Sequence, residues 1–295
     1  MTSDAVDINR SVFNEEAANY DDKHRKLINR LTRELQARLD FIGVDWASDD
    51  EEEDEHGDED GDGDSDKDSN DEGDEKESEP PRKREVRLLD YACGTGVISR
   101  VFAPYTTQCV GMDISEKMVE EYNARSENQG LSPAEMHAIV GDLASDTISH
   151  HLMAPHLFDF DLAVVGGGLH HFANPDRAVK RLVERLKPGG VLLVWDFMPH
   201  GPQPHRHDHH AGGGQETASG LDIFSSVLHH GFSEERMRDM FTAAGAGAHF
   251  QLELIWGGWA TGHGDESNAD GEEKKNGRED GSRRQVFFAR GTKGN

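Results

Sequence analysis

Three acidic residues stand where apolar segments give way to turns. They are Asp90 in Asp90-Tyr-Ala-Cys-Gly-Thr-Gly96, Asp113 in Gly111-Met-Asp113, and Asp142 in Gly141-Asp142-Leu143. The first belongs to a turn of small residues. Ala92, Gly94 and Gly96 let backbone pass close to a ligand because no bulky side chain intervenes. A carboxylate at the second position can accept both hydroxyls of a ribose, each charged hydrogen bond contributing roughly 1.5–3 kcal/mol. At the third, a carboxylate can accept from an exocyclic amine while Leu143 packs on the ring. A dinucleotide site would place glycines as G-x-G-x-x-G at the opening of a helix. Here those positions are Ala92, Gly94 and Val97, and two of the three differ, which argues against NAD or FAD.

A second group of reactive side chains follows a fourth apolar segment, where His170 and His171 stand side by side. Imidazole titrates near neutral pH, so either can serve as a general base for an acceptor that must lose a proton. Of the two, His170 is the expected catalytic residue. Five further histidines lie between His200 and His210. Gly and Pro surround them and no Cys joins them, so they suit an exposed loop better than a metal cage, and no metal site is expected.

Elements must carry these residues to one place. Strands are expected at 86–91, 108–114, 136–140, 160–165, 191–197, 249–256 and 285–290. Helices are expected over 22–42, from Val97, from Glu116 to Gly130 behind the cap Ser115, from Asn174-Pro175 to Lys187, and over 233–244. Strands alternating with helices imply βαβ units and a mostly parallel, doubly wound sheet of the α/β class. The last two strands have no helical pattern between them, so they form an antiparallel hairpin. In such a sheet, ligands bind beyond the carboxyl ends of the strands where strand order reverses, which is where the three acids fall.

The segments Leu88–Gly96, Gly111–Ser115, Gly141-Asp142-Leu143, Phe158–Phe172 and Leu186–Phe197 resemble the successive motifs of class I (Rossmann-like) S-adenosylmethionine-dependent methyltransferases. Leu169-His170-His171 and Leu186-Lys-Pro-Gly-Gly190 are similar to the ubiquinone/menaquinone-biosynthesis type, which methylates small molecules. The N-terminal Phe13-Asn-Glu-Glu-Ala17 with Tyr20-Asp21 resembles the lid segment of that type. The resemblance implies S-adenosylmethionine as cofactor, with Asp90 and the Ala92–Gly96 loop at its methionine moiety, Asp113 at the ribose and Asp142 at the adenine. Tyr20, Ile114, Leu143 and Gly166 join the implied cofactor site. Most family members carry glycine where this chain has Ala92.

Of the net charge of −27, the stretch Asp49–Glu79 contributes −18. Such a stretch cannot bury enough apolar surface to offset chain entropy, so 48–82 is expected to be a disordered acidic insert. It separates N-terminal lid helices (1–47) from a methyltransferase domain (83–295) with flexible inserts at 199–220 and 261–282. An acidic protein is poorly suited to holding phosphate backbones, so no nucleic acid partner is expected. The expected partner is a small-molecule methyl acceptor, O- or C-directed. Two alternatives are a methyltransferase acting on a basic protein recruited by the acidic insert, and a non-catalytic S-adenosylmethionine-binding regulator. Two cysteines, no 18-residue apolar run and no signal sequence point to a cytoplasmic, or else nuclear, protein without a membrane span.

Overall fold

A computed structural model describes residues 2–47, 84–199, 226–260 and 283–294. The acidic insert and, but for Pro199, both later inserts lie outside them, as do the five histidines between 200 and 210.

The core is one seven-stranded sheet: β1 (Arg87–Tyr91), β2 (Gln108–Asp113), β3 (Met136–Val140), β4 (Phe160–Gly166), β5 (Leu186–Phe197), β6 (Ala248–Ala260) and β7 (Arg283–Thr292). Their order is β3-β2-β1-β4-β5-β7-β6. The first five pair in parallel, and β7 runs antiparallel to both β5 and β6. The expected doubly wound α/β sheet with its hairpin is therefore present. The order reverses between β1 and β4, which places the crevice at the carboxyl ends of these neighbours.

Buried parallel strands read as continuous apolar runs, and β4 follows that rule from Phe160 to Val165 except at Asp161. Alternate residues serve opposite faces. Leu89 and Tyr91 of β1, with Ala163 and Val165 of β4, join one core layer. Leu88, with Leu162 and Val164, joins the other. The first layer packs on α7 (Pro175–Arg185) and α8 (Glu234–Ala244). The second packs on α3 (Arg25–Gln36), α5 (Val97–Phe102) and α6 (Glu116–Asn128).

Helix starts follow the expected chemistry. Ser115, Asn174 and Ser233 each accept a backbone N–H from three residues ahead. The helix expected over 22–42 is instead broken into α2 (Tyr20–Lys23), α3 and α4 (Leu39–Ile42). Neither Gly nor Pro causes the breaks. His24 and Arg38 leave helical geometry, and the Arg38 guanidinium bridges Glu34 and Glu253 at 2.6 and 3.1 Å. Leu31, Leu35 and Ile42 still reach the core. Ahead of them, α1 (Thr2–Glu16) buries Val12 and Asn9. Among the described residues, no helix is long and apolar enough to cross a membrane.

Candidate functional site

The site assembles from the tips of β1, β2 and β3 and from the segment that follows β4. Asp90 is 1% exposed and faces α5, whose Ser99 donates to Oδ2 from its N–H (3.2 Å) and its hydroxyl (2.8 Å). Its other oxygen, Oδ1, is buried with no partner among the described residues. Burial lifts the carboxyl to about 7, with the Asp113 charge adding to the shift against the two Ser99 bonds.

The turn that follows is held in left-handed geometry, with φ of 56° at Ala92, 51° at Gly94 and 84° at Gly96. A Cβ on Gly96 would strike the Tyr122 ring at 2.6 Å, whereas one on Gly94 would meet only Met118 Sδ at 4.0 Å. Gly96 is therefore required by packing, and Gly94 opens onto space. Ala92 holds an unfavourable φ for a residue with a Cβ, a cost of about 1 kcal/mol.

Asp113 is buried, which raises its carboxyl above the ordinary value although backbone donors oppose the shift. Its Oδ2 accepts Gly94 N–H and its Oδ1 accepts Ser115 N–H, both at 2.9 Å. The tip of β2 thereby holds the turn after β1. Asp142 is half-buried, and its Oδ1 accepts from Ala144 N–H (2.8 Å), Ser145 N–H (3.1 Å) and the Tyr91 hydroxyl (3.3 Å). The Tyr91 hydroxyl in turn accepts Leu143 and Ala144 N–H. These bonds tie the three strand tips into one network. The Leu143 side chain, fully buried, lies in the core beside Tyr91 and Met112. At Gly166, an added Cβ would lie 2.0 Å from the Ile98 Cδ1, so a side chain there would have to displace the end of Ile98 on α5.

The N-terminal segment lies over this network. Arg10 donates to the Ile114 carbonyl (3.2 Å) and Asn9 to the His171 carbonyl (3.0 Å). Asn14 accepts the Ser115 hydroxyl (2.7 Å), and the Phe13 ring meets His171 edge-on at 5.4 Å. Asp21 accepts from the Thr95 hydroxyl (2.5 Å) and Arg100 (2.9 Å), with Arg125 at 3.3 Å. Tyr20 is half-buried, and burial together with the charges of Glu16, Asp21 and Asp113 pushes its hydroxyl up to about 12.

After β4, His170 and His171 are both buried. His170 Nδ1 lies 2.9 Å from Asp196 Oδ1, and His170 N–H donates to Asp196 Oδ2 at 3.2 Å. His171 Nδ1 meets the carbonyl and hydroxyl of Ser226, each at 3.0 Å, and burial pushes its ring down to about 3. Sequence reasoning missed Asp196. Its signal was a lone carboxylate in the apolar run Val191–Phe197. It also missed Asn9, which carries no pattern, and it gave no role of their own to Asn14 and Thr95 within the segments Phe13–Ala17 and Ala92–Gly96. No group of three or more His, Cys, Asp or Glu suited to a metal occurs among the described residues.

Residues 89–192 match a family model described as a methyltransferase domain. The chain is similar to an uncharacterised methyltransferase of Schizosaccharomyces pombe, with 31% identity over 55% of this chain and 54% of that one. It is also similar to the ubiquinone/menaquinone biosynthesis C-methyltransferase of Hydrogenovibrio crunogenus, with 32% identity over 37% of this chain and 41% of that one. The chain thus spans about half the length of these curated relatives or less. Among solved structures, the YcgJ protein of Bacillus subtilis aligns with a TM-score of 0.48 at 16% identity, covering 72% of this chain and 93% of that one. The sheet order is Rossmann-like, and the match makes residues 89–192 part of a class I, S-adenosylmethionine-dependent methyltransferase domain.

Proposed function

We propose that the protein transfers a methyl group from S-adenosylmethionine to a small-molecule acceptor. The observation that carries this reading is the convergence of Asp90, Asp113 and Asp142 around the turn Ala92–Gly96. Several features of the site fit the cofactor. Asp90 Oδ1 is a buried acceptor awaiting a donor, as an ammonium would be. Gly94 leaves the room that a side chain would fill. Asp113 can accept from ribose hydroxyls through its remaining lone pairs, and Asp142 from an amine of the adenine. Ile114 and Leu143 hold the backbone of the two flanking loops, Ile114 through its carbonyl and Leu143 through its N–H.

When bound, S-adenosylmethionine supplies a methyl group already activated on a sulfonium sulfur. What remains for the chain is alignment and exclusion of water. Asn9, Arg10 and Phe13 supply the roof, and Tyr20, its ring against His24, extends it. A roof that contacts both the β2 loop and the His170–His171 segment favours a compact acceptor over an extended polypeptide. The quinone-biosynthesis name of one relative points the same way.

Thermal melting with S-adenosylhomocysteine tests the premise. At a hundredfold excess over Kd, linkage adds about 2.7 kcal/mol to stability. A folded protein whose melting temperature stays fixed over that range would remove the proposal. Asp113→Ala should lose the shift. It should also lower the stability of the free protein by about 2–4 kcal/mol, because Gly94 and Ser115 N–H lose their acceptor. The three acids in the sequence suggest ligand partners alone, whereas Asp113 also carries a structural role.

A further inference from the structure

Asp196, one residue before the end of β5, is fully buried and is held by three hydrogen bonds. It accepts Phe197 N–H at 2.7 Å, His170 N–H at 3.2 Å and, at 2.9 Å, the His170 ring. Two of the three bonds go to one residue. Burying a carboxylate is unfavourable compared with packing an apolar side chain in its place, so stability alone does not account for it.

A carboxylate that already takes two backbone N–H groups is an acceptor, so the proton between it and the ring belongs to Nδ1 of His170. That fixes the tautomer and leaves the Nε2 lone pair free of a proton. The ring is locked from other sides as well. His171 lies against it at 4.1 Å with the rings tilted by 39°, Phe197 meets it edge-on at 5.2 Å, and the His170 carbonyl accepts Leu228 and His229 N–H. His171 offers no equivalent: its Nδ1 faces the Ser226 carbonyl, which sets the same tautomer but carries no charge to offset a ring that takes up a proton.

We infer that Asp196 is a positioning residue that orients His170 as a general base, and that the methyl acceptor is therefore a hydroxyl compound of the phenol or enol class. This rests on the cofactor reading above. In the step, His170 Nε2 takes the hydroxyl proton. The oxygen lone pair forms the O–C bond as the S–C bond breaks, its electron pair returning to sulfur. The products are the methyl ether, neutral S-adenosylhomocysteine and a proton that His170 later releases to water.

The first test needs no substrate. Nitrogen-15 NMR of the wild-type protein should show His170 protonated at Nδ1, and Asp196→Asn should change that tautomer. A wild-type ring protonated at Nε2 overturns the inference. The second test uses 4-nitrophenol and 4-nitrocatechol with the S-adenosylhomocysteine complex at a pH below the pKa of each phenol. Bound probe should absorb as the phenolate, and His170→Gln and Asp196→Asn should abolish that signal while keeping S-adenosylhomocysteine affinity within about twofold. With any phenol that turns over, Asp196→Asn should cut kcat by roughly 100-fold or more while KM changes little. Overturning results are probes that fail to bind, probes that bind protonated, and a phenolate signal that survives His170→Gln. If S-adenosylhomocysteine itself does not bind, the cofactor proposal fails, while the tautomer measurement still judges the dyad.

Discussion

Asp90 is placed where its charge is least welcome until a ligand arrives. Burial holds its carboxyl near pH 7, far above the ordinary carboxylate value, so between pH 4 and 7 folding takes up a proton. Stability of the free protein should therefore fall as pH rises through that window. Asp90→Asn should stabilise the free protein above pH 7, by a few kcal/mol on the order of the shift. A cationic ligand reverses the preference, because an ammonium beside Oδ1 favours the ionised acid. Binding then expels a proton below pH 7. Affinity for S-adenosylhomocysteine should rise by up to about tenfold per pH unit toward 7 and flatten above it. Calorimetry in buffers of different ionisation enthalpy checks this, and Asp90→Asn should remove the slope. A pH-independent affinity would show that the orphan oxygen does not face the ligand.

At the scale of elements, α1 and α2 are held to the sheet by few apolar side chains and many polar ones. Asp21 joins Thr95, Arg100 and Arg125, and Asn14 reaches the cap of α6. Asp21→Ala should free the N-terminal segment while the sheet persists. Limited proteolysis should cut within residues 1–24 several times faster, and S-adenosylhomocysteine should dissociate faster at little change in core melting temperature. Unchanged cleavage would show that apolar contacts such as Val12 hold the segment without Asp21. The strands were legible in the sequence because apolar runs bounded by turns have few other uses. Met136–Val140 is observed with the bounds the sequence suggests, and Phe160–Val165 extends only to Gly166. The acids at the strand tips were legible for the same reason, since each follows such a run. The break at Arg38 was not legible, because the leucine spacing continues across it, and the break at His24 lies ahead of the first leucine, where no apolar spacing reports on the helix. Neither was the Asp196–His170 contact, since parallel pairing of β4 with β5 brings together residues 26 apart, and no local pattern encodes that.

At the scale of the molecule, the acidic insert leaves and rejoins the core at neighbouring points. Asp45 and Arg84 form an ion pair, and Ala47 N–H donates to Tyr105. The described residues on either side of 48–83 are therefore held near one another by their own contacts. Replacing those residues by a linker of about six should leave the fold unchanged and stabilise it by about 1.6 kcal/mol through reduced loop-closure entropy. Denaturant melts of the two proteins measure the difference. A large loss of stability would mean that the insert packs on the domain. Unchanged turnover would make it a spacer, and lost turnover would favour recruitment of a basic partner.

The position of β7 between β5 and β6 carries a consequence for biosynthesis. It follows every other strand in sequence, yet it supplies the hydrogen-bonding partner for both of these neighbours. Until it emerges from the ribosome, β5 and β6 each present an unpaired rim along which a nascent chain can zip onto another copy. Productive folding thus waits for β7, and chaperone demand should concentrate in the interval before it emerges.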